Sequence, residues 1–267
     1  MKNYTLCYAD DDDLDQIIKL WNGCFGDSED FIREFFAVTQ LLKTTVILKQ
    51  NGSVRSMMIS FDGLILCGES ASYIYALCTD PDSRSKGFGT AVLNETIAQA
   101  KNRGAEIVFL RPANAELAKG YIEGFCAKSL RYVMRERFFP SSAEDIAIIE
   151  ITAASYASLC QSAMPGPLIK AQEILNRHYG GSFFQIGDCV VQTALQGGEW
   201  VIKGSCAPLQ YSEKVFSSLC KHLGIDSIII ESERHSANAA LYPSLVYFSA
   251  HEINIDLDDL SSFFYLN

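Results

Sequence analysis

The sequence predicts a mixed α/β protein with a mostly antiparallel sheet and a central strand–loop–helix–strand crossover. The prediction comes from β-rich stretches that alternate with amphipathic helical stretches, and from a strand that runs through a glycine-containing loop into a helix. The same order of elements recurs in the second half of the chain. We therefore expect a first domain at residues 1–140 and a similar but degenerate second domain at residues 141–267.

The first elements alternate between helix and strand. A strand at Tyr4–Tyr8 precedes two helices, one from Asp10 to Phe25 and one capped by Ser28. Between residues 45 and 67, three strands are separated by Asn-Gly at 51–52 and Asp-Gly at 62–63, dipeptides that favour tight hairpin turns. This part of the chain is predicted to be an antiparallel meander.

The crossover follows the meander. Its predicted parts are a strand at Ser72–Thr79, a helix ending near Arg103, and a strand at Glu106–Leu110. Two strands joined in this way lie parallel. A helix from Asn114 and a strand from Arg131 complete the first domain.

The second half repeats part of this order. Helices are predicted at 153–161, 168–178 and 213–222, and strands at 146–151, 189–195, 200–206 and 228–230. The last strand pair and the helix between them match the crossover of the first half.

Composition excludes several classes of protein. The 267 residues include 22 Lys and Arg against 32 Asp and Glu, for a net charge of −10, and 48% are hydrophobic. A chain of this length and composition forms a core and is not disordered. The acidic balance argues against nucleic-acid and membrane partners, and no apolar run reaches the roughly 18–20 residues that span a bilayer. We expect a cytoplasmic protein.

The nine cysteines are scattered, with no Cys-x-x-Cys pair, and no two of the four histidines are spaced i, i+4. This spacing predicts no metal site and no thioredoxin-type redox pair. Buried free thiols are the expected state of the cysteines.

The charge is unevenly distributed. Residues 84–140 carry a net charge of +5, whereas residues 1–83 carry −7 and residues 141–267 carry −8. The basic segment opens on the loop Arg84-x-x-Gly87-x-Gly89, between a strand and a helix N-terminus. Backbone N–H groups and the helix dipole make such a position an anion site. The loop matches neither the P-loop nor the dinucleotide fingerprint, so ATP and NAD are not the expected ligands.

Two stretches resemble the GNAT acetyltransferase superfamily. LCTDPDSRSKGFGTAVL is similar to its acetyl-CoA loop, and RPANAELAKGYIEGFC is similar to the segment in which Asn114 is followed by Tyr121. Seven residues turn a helix by about 700°, so Asn114 and Tyr121 share one helix face. The resemblance implies a GNAT fold and an N-acetyltransferase that transfers the acetyl group of acetyl-CoA directly to a primary amine.

The resemblance also implies a set of cofactor-binding residues. The loop backbone would hold the CoA pyrophosphate, two basic side chains would add charge, a strand edge would pair with pantetheine, and an asparagine would bond to it. These residues are, in chain order, Leu77, Cys78, Thr79, Arg84, Ser85, Lys86, Gly87, Phe88, Gly89, Thr90 and Asn114. The second half has Leu209-Gln210-Tyr211-Ser212-Glu213 at the corresponding loop, so we expect no CoA there.

Acyl transfer to an amine requires an acid, an oxyanion donor and a base. Tyr121 is the candidate acid for the CoA thiolate, and the N–H of Cys78 or Thr79 is the candidate oxyanion donor. Glu69 is a candidate base, with water or a backbone carbonyl as alternatives. The terminal carboxylate of the apolar run Phe263–Asn267 is a further candidate.

Several alternatives stay open from the sequence. One is a covalent route through Cys78, another is an acyl-CoA-binding pseudo-enzyme that serves as a sensor or scaffold, and a third is transfer to a protein or peptide. The acidic flanks fit a cationic acceptor. A homodimer is an alternative to a monomer.

Overall fold

The structure is a computed structural model that describes residues 3–66, 68–125, 127–141, 146–160, 164–206, 212–234 and 242–249. The chain divides into two compact units. The first runs to Arg111 and includes Pro165–Ala171 and a short segment from Tyr247 onward; the second begins at Pro112. The domain boundary near residue 140 stays a prediction.

The first unit is a five-stranded sheet with three α-helices. Its strands are β1 (Thr5–Tyr8), β2 (Val46–Gln50), β3 (Ser53–Leu66), β4 (Glu69–Thr79) and β5 (Ile107–Leu110), and its helices are α1 (Leu14–Phe25), α2 (Glu29–Thr39) and α3 (Phe88–Asn102). The strands lie in the order of their numbers. Every pair is antiparallel except β4 and β5, which are parallel. The predicted crossover is confirmed.

Local signals set the ends of the first helices. Asp10 and Asp13 form a capping box around a 3₁₀ turn that leads into α1, and Gly26 ends α1 at φ 81°. The backbone N–H of Phe31 donates to the Ser28 Oγ at 3.3 Å, which caps α2. These are the positions that the sequence predicts.

Aromatic packing places α1 and α2 against the middle of β4. The indole of Trp21 is 1% exposed and donates to Asp27 Oδ2 at 2.6 Å. Its ring centroid lies 5.2 Å from that of Phe35 and 6.0 Å from that of Tyr75 on β4. Because edge-to-face aromatic pairs prefer such separations, this cluster holds the helices on the strand that leads to the loop at residues 80–87.

The hairpin turn predicted at Asp62–Gly63 is wrong. The strand β3 continues through these residues for 14 positions, and its register with β4 shifts between Phe61 and Leu64. Gly63 takes φ 80°. This left-handed conformation, which favours glycine, occurs here in a β-bulge instead of a hairpin turn. The chain reverses after Leu66, and Cys67 lies outside the described residues.

The bulge places Asp62 in a network that joins three elements. Its carboxylate accepts from the Arg103 guanidinium at 2.8 and 3.1 Å and from the Ser72 hydroxyl. Arg103, just after α3, also donates to Tyr8 on β1 at 2.7 Å and to Ser60 at 3.0 Å. The network therefore ties α3 to β1, β3 and β4.

Replacing Asp62 with alanine is expected to destabilise the first unit. The change leaves the partly buried guanidinium of Arg103 without its carboxylate, and both side chains are 31% exposed. We expect a loss of about 1–2 kcal/mol, allowing for solvent screening of the pair. Urea denaturation measures it, with the exposed Asp226→Ala as the charge-matched control. Equal midpoints for the two variants would contradict this role of Asp62.

The second unit is also built on a mixed sheet. Its helices are α4 (Ala115–Phe125), α5 (Ala153–Leu159), α6 (Gly166–Tyr179, whose first residues group with the first unit) and α7 (Ser212–Leu223). Its strands are β6 (Lys128–Phe138), β7 (Ile148–Ile151), β8 (Phe183–Ile186), β9 (Cys189–Gln196), β10 (Glu199–Cys206) and β11 (Ile228–Arg234). A last strand, β12 (Tyr242–Phe248), includes residues of both units. The sequence prediction missed β8 and β12.

The strands of the second unit lie in the order β6-β11-β10-β9-β8-β7. The strands β10 and β11 are parallel and are joined through α7, whereas the other pairs are antiparallel. This repeats the arrangement of β4, α3 and β5. A buried ion pair joins the parallel strands, with Lys203 Nζ 2.8 Å from Glu231 Oε2.

Candidate active site

The carboxyl end of β4 extends past its parallel partner. The described ladder with β5 ends at the pair Ile74 and Leu110, while β4 continues to Thr79. On its other edge β4 still pairs with β3, with a register shift where Ala76 takes φ 51°. A strand segment that runs beyond one neighbour exposes an edge to which an extended ligand can add main-chain hydrogen bonds.

The loop after β4 is held by an ion pair. Arg55 on β3 contacts the Asp80 carboxylate at 2.5 Å, and the other oxygen of that carboxylate accepts from the N–H of Asp82 at 2.9 Å. The hydrogen bond from Arg55 keeps the pKa of Asp80 below its usual value. These contacts hold the first turn of the loop, Pro81–Ser83, against the sheet.

The N-terminus of α3 has no side-chain cap. Gly87 is the N-cap residue at φ 78°, and Ser85 also has a positive φ of 60°. The first helical bond runs from the N–H of Ala91 to the Gly87 carbonyl. The N–H groups of residues 88–90 therefore precede the helical ladder, and the positive end of the helix dipole lies at the same place.

Close contact with Thr79 brings this helix end onto β4. A Cβ added at Gly89 would lie 3.1 Å from Thr79 Oγ1, and that hydroxyl lies 2.9 Å from Ser56 Oγ. A side chain at Gly89 would therefore require the Thr79 side chain to shift by a few tenths of an ångström. A Cβ at Gly87 would meet no atom within 4 Å, so glycine is favoured there by the positive φ and not by close packing.

Two exposed cations lie beside this helix N-terminus. The Nε of Arg84 donates to the Thr79 carbonyl at 3.4 Å, and Lys86 Nζ donates to the Asp82 carbonyl at 2.7 Å. Each side chain donates a hydrogen bond to a backbone carbonyl, which holds its positive charge near the loop. The structure thus brings the predicted loop residues and Thr79 together.

Two thiols meet beside this strand end. Cys24 in the last turn of α1 is partly exposed, and its Sγ lies 3.6 Å from the Thr79 carbonyl oxygen. Cys78 is buried, and desolvation together with a hydrogen bond to Cys24 raises its pKa well above the usual value. No local sequence pattern marks Cys24, because its partners are distant in the chain. A protonated Cys78 is a poor nucleophile, which does not favour the covalent route.

Two further predicted residues lie in the second unit, Asn114 just before α4 and Tyr121 on it. The side-chain oxygen of Asn114 accepts from the N–H of Leu117 at 2.9 Å, so it caps α4. Its NH₂ group is a separate donor. Tyr121 is partly buried beside Phe125, with ring centroids 6.2 Å apart, and burial raises its pKa. A tyrosine is protonated near neutral pH even at its ordinary pKa, so this phenol has a proton to donate.

Of the two candidate protein bases, the structure describes Glu69 but not the terminal carboxylate. Glu69 is exposed at the first position of β4, which has 11 residues, so it lies about 30 Å along the strand from Thr79. This placement does not favour Glu69 as the base. The terminal run Phe263–Asn267 and the second-half loop residues Leu209–Tyr211 lie outside the described residues.

Comparison with known proteins identifies a domain in the first part of the chain. Residues 6–121 match the family model of the acetyltransferase (GNAT) domain. This chain carries a GNAT acetyltransferase domain. The enzyme class predicted from the sequence, a GNAT-type acyltransferase, is confirmed, and the match includes the first quoted stretch and the second one as far as Tyr121. The comparison with curated proteins found no match.

The fold is similar to solved GNAT structures over nearly the whole chain. A GCN5-related N-acetyltransferase from Kribbella flavida is 12% identical, with a TM-score of 0.67 over 91% of this chain and 70% of that one. Another from Anabaena variabilis is 14% identical, with a TM-score of 0.64 over 91% and 71%. A third from Sphaerobacter thermophilus is 13% identical, with a TM-score of 0.56 over 97% and 99%. At these identities the likeness establishes the fold, and it extends past the GNAT domain into the second unit.

No described helix is long and apolar enough to cross a membrane. Within the same part of the chain, no three side chains among His, Cys, Asp and Glu are grouped to hold a metal ion.

Proposed function

We propose that the protein is an acetyl-CoA-dependent N-acetyltransferase that transfers the acetyl group directly to a primary amine of a small molecule or peptide. The observation that carries the proposal is the uncapped N-terminus of α3, held against the free end of β4. This arrangement offers backbone donors for a pyrophosphate and, within the same unit, a strand edge for the pantetheine arm.

Each part of the cofactor has a proposed partner. The N–H groups of residues 85–90 bind the pyrophosphate, and Arg84 and Lys86 add positive charge. The main chain of Leu77–Thr79 pairs with pantetheine, and the Asn114 NH₂ group donates a further hydrogen bond to it. Only Gly fits at position 89 without moving Thr79, so this contact supports the assignment.

The transfer proceeds by direct attack of the amine on the thioester. As the tetrahedral intermediate forms, its oxyanion accepts a hydrogen bond from the N–H of Cys78 or Thr79. Tyr121 gives its proton to the departing CoA thiolate, whose basicity is close to that of a phenol. The amine proton passes to water or a backbone carbonyl, since the position of Glu69 does not favour it.

The second unit takes no CoA in this proposal. It shares the parallel pair and helix of the first unit, which supports its description as a degenerate GNAT-like domain. The acidic segments that flank the basic one fit a cationic acceptor. The absence of an assigned protein base favours one second candidate, an acyl-CoA-binding protein that does not transfer the acyl group.

A thiol-release assay separates these two functions. The protein is incubated with acetyl-CoA and a panel of polyamines, aminoglycosides, amino acids and peptides, with an amine-free reaction as the control. We expect release of CoA thiol that depends on one class of amine. Binding of CoA by calorimetry without release for any amine would favour the sensor, and absence of binding would overturn both.

A further inference from the structure

A buried hydroxyl on β3 contacts the end of β4. Ser56 is 0% exposed, and its Oγ donates to the Cys78 carbonyl at 2.9 Å. The same oxygen lies 2.9 Å from Thr79 Oγ1. A hydroxyl has one proton and a carbonyl only accepts, so the Ser56 proton goes to Cys78 and the Thr79 hydroxyl donates to Ser56. Ser56 therefore holds a main-chain group and a side-chain group of β4 together.

The bonded carbonyl belongs to the peptide group that also contains the Thr79 N–H. In a trans peptide the C=O and the N–H point in opposite directions. The Cys78 carbonyl points toward β3, so the Thr79 N–H points toward the other edge of β4. On that edge the described ladder with β5 has already ended at Ile74. The hydrogen bond from Ser56 thus fixes the direction of an N–H on an open strand edge.

The neighbouring backbone contacts agree with this direction. The Asp80 N–H donates to the Arg55 carbonyl on β3 at 2.9 Å. Backbone groups alternate between the two edges of a strand, so those of Cys78 and Asp80 face β3 and those of Thr79 face away. The Thr79 carbonyl accepts from Arg84 Nε, in the loop after β4, at 3.4 Å. Of the two candidate oxyanion donors, Thr79 therefore presents its N–H to the open edge, whereas the Cys78 N–H faces β3.

We propose that Ser56 is a positioning residue that holds the Thr79 N–H as the oxyanion donor of the acetyl transfer. This assignment rests on the proposed function, and it specifies which N–H donates and which side chain orients it. A hydrogen bond to the carbonyl of a peptide group polarises that group and strengthens its N–H as a donor. The Thr79 N–H donates to the thioester carbonyl oxygen of bound acetyl-CoA, and the bond strengthens as negative charge develops there. Ser56 acts through the Cys78 peptide group.

Infrared difference spectroscopy tests the contact. The full chain is mixed with acetyl-CoA labelled with ¹³C at the thioester carbonyl, without amine. Binding should move the carbonyl band to lower frequency, because a donated hydrogen bond polarises the C=O group. Ser56→Ala should give a smaller shift, and the matched control Ser60→Ala should give the wild-type shift. Ser60 is also a buried serine of β3, at 1% exposure, but its hydroxyl accepts from Arg103. Equal shifts in the two variants would overturn the assignment.

Kinetics separate positioning from a structural role. In the thiol-release assay, Ser56→Ala should lower kcat about tenfold and leave KM for acetyl-CoA unchanged, because the weakened interaction acts mainly in the transition state. Ser60→Ala should keep the wild-type kcat. A structural role alone would lower the urea midpoint of Ser56→Ala without changing kcat of the folded enzyme, and that result would contradict positioning.

The wild-type chain provides a check that needs no serine variant to fold. With ¹⁵N-labelled threonine, the amide proton of Thr79, assigned by its loss in Thr79→Ser, should move downfield with acetyl-CoA relative to CoA. An unchanged signal would overturn the assignment while leaving the acetyltransferase proposal in place. Absence of CoA binding by calorimetry would instead overturn the proposed function, and this assignment with it.

Discussion

Gly89→Glu is expected to lower the affinity for CoA by about 100-fold or more, equivalent to about 2.7 kcal/mol. The added Cβ would lie 3.1 Å from Thr79 Oγ1, and the carboxylate would stand among the uncapped N–H groups of α3. It would compete for those donors and repel the pyrophosphate. Isothermal titration calorimetry with CoA measures the change.

Two companion variants separate the causes of this loss. Gly89→Ala adds only the steric contact with Thr79, so its effect should be smaller than that of glutamate. Asn94→Glu places the same charge on an exposed position of α3 beyond the first turn, and it should bind CoA nearly as the wild type does. Retained affinity in Gly89→Glu would refute the assignment of the pyrophosphate to this loop.

Tyr121→Phe is expected to reduce turnover by roughly 100-fold, which lies in the usual range for loss of a general acid. The affinity for CoA should not change, because the proposed role of the hydroxyl is confined to the departing thiolate. Burial raises the pKa of Tyr121, so the phenol stays protonated through neutral pH. Loss of activity on the alkaline side should therefore begin only at high pH in the wild type.

Steady-state thiol release and CoA titration on the same preparation provide the measurement. Tyr179→Phe removes a hydroxyl from another partly exposed tyrosine of the second unit and serves as the control. Turnover of Tyr121→Phe equal to that of the control would remove Tyr121 from the mechanism. A parallel loss of CoA affinity would assign the hydroxyl to binding instead of proton transfer.

Much of the first unit could be predicted because its signals are local. The cap at Ser28 and the end of α1 at Phe25 depend on residues within one helical turn, and the structure places both as predicted. The motif at Gly87 and Gly89 also consists of residues close together in the chain. Its predicted anion binding follows from glycines at a strand-to-helix junction within a basic segment.

The features that the sequence prediction missed depend on contacts between residues distant in the chain. Asp62 and Gly63 carry a turn signal, but the pairing of β3 with β4 and the guanidinium of Arg103 stabilise a bulge there. The position of Glu69 depends on where β4 begins. Because β3 continues to Leu66 and the chain reverses only after it, Glu69 is the first residue of β4. Local dipeptide preferences contain no information on these long-range partners.

The sequence alone therefore determined the fold class, the resemblance to the GNAT domain and the place of the glycine-containing loop between a strand and a helix, since each depends on periodicity or on a motif of adjacent residues. The tertiary structure decided which strand edge extends beyond its partner and which side chains meet there. It also placed Cys24 against Cys78 and Arg84, where its pKa falls to about 6. The physical reason is that pKa values and strand registers depend on groups brought together by folding.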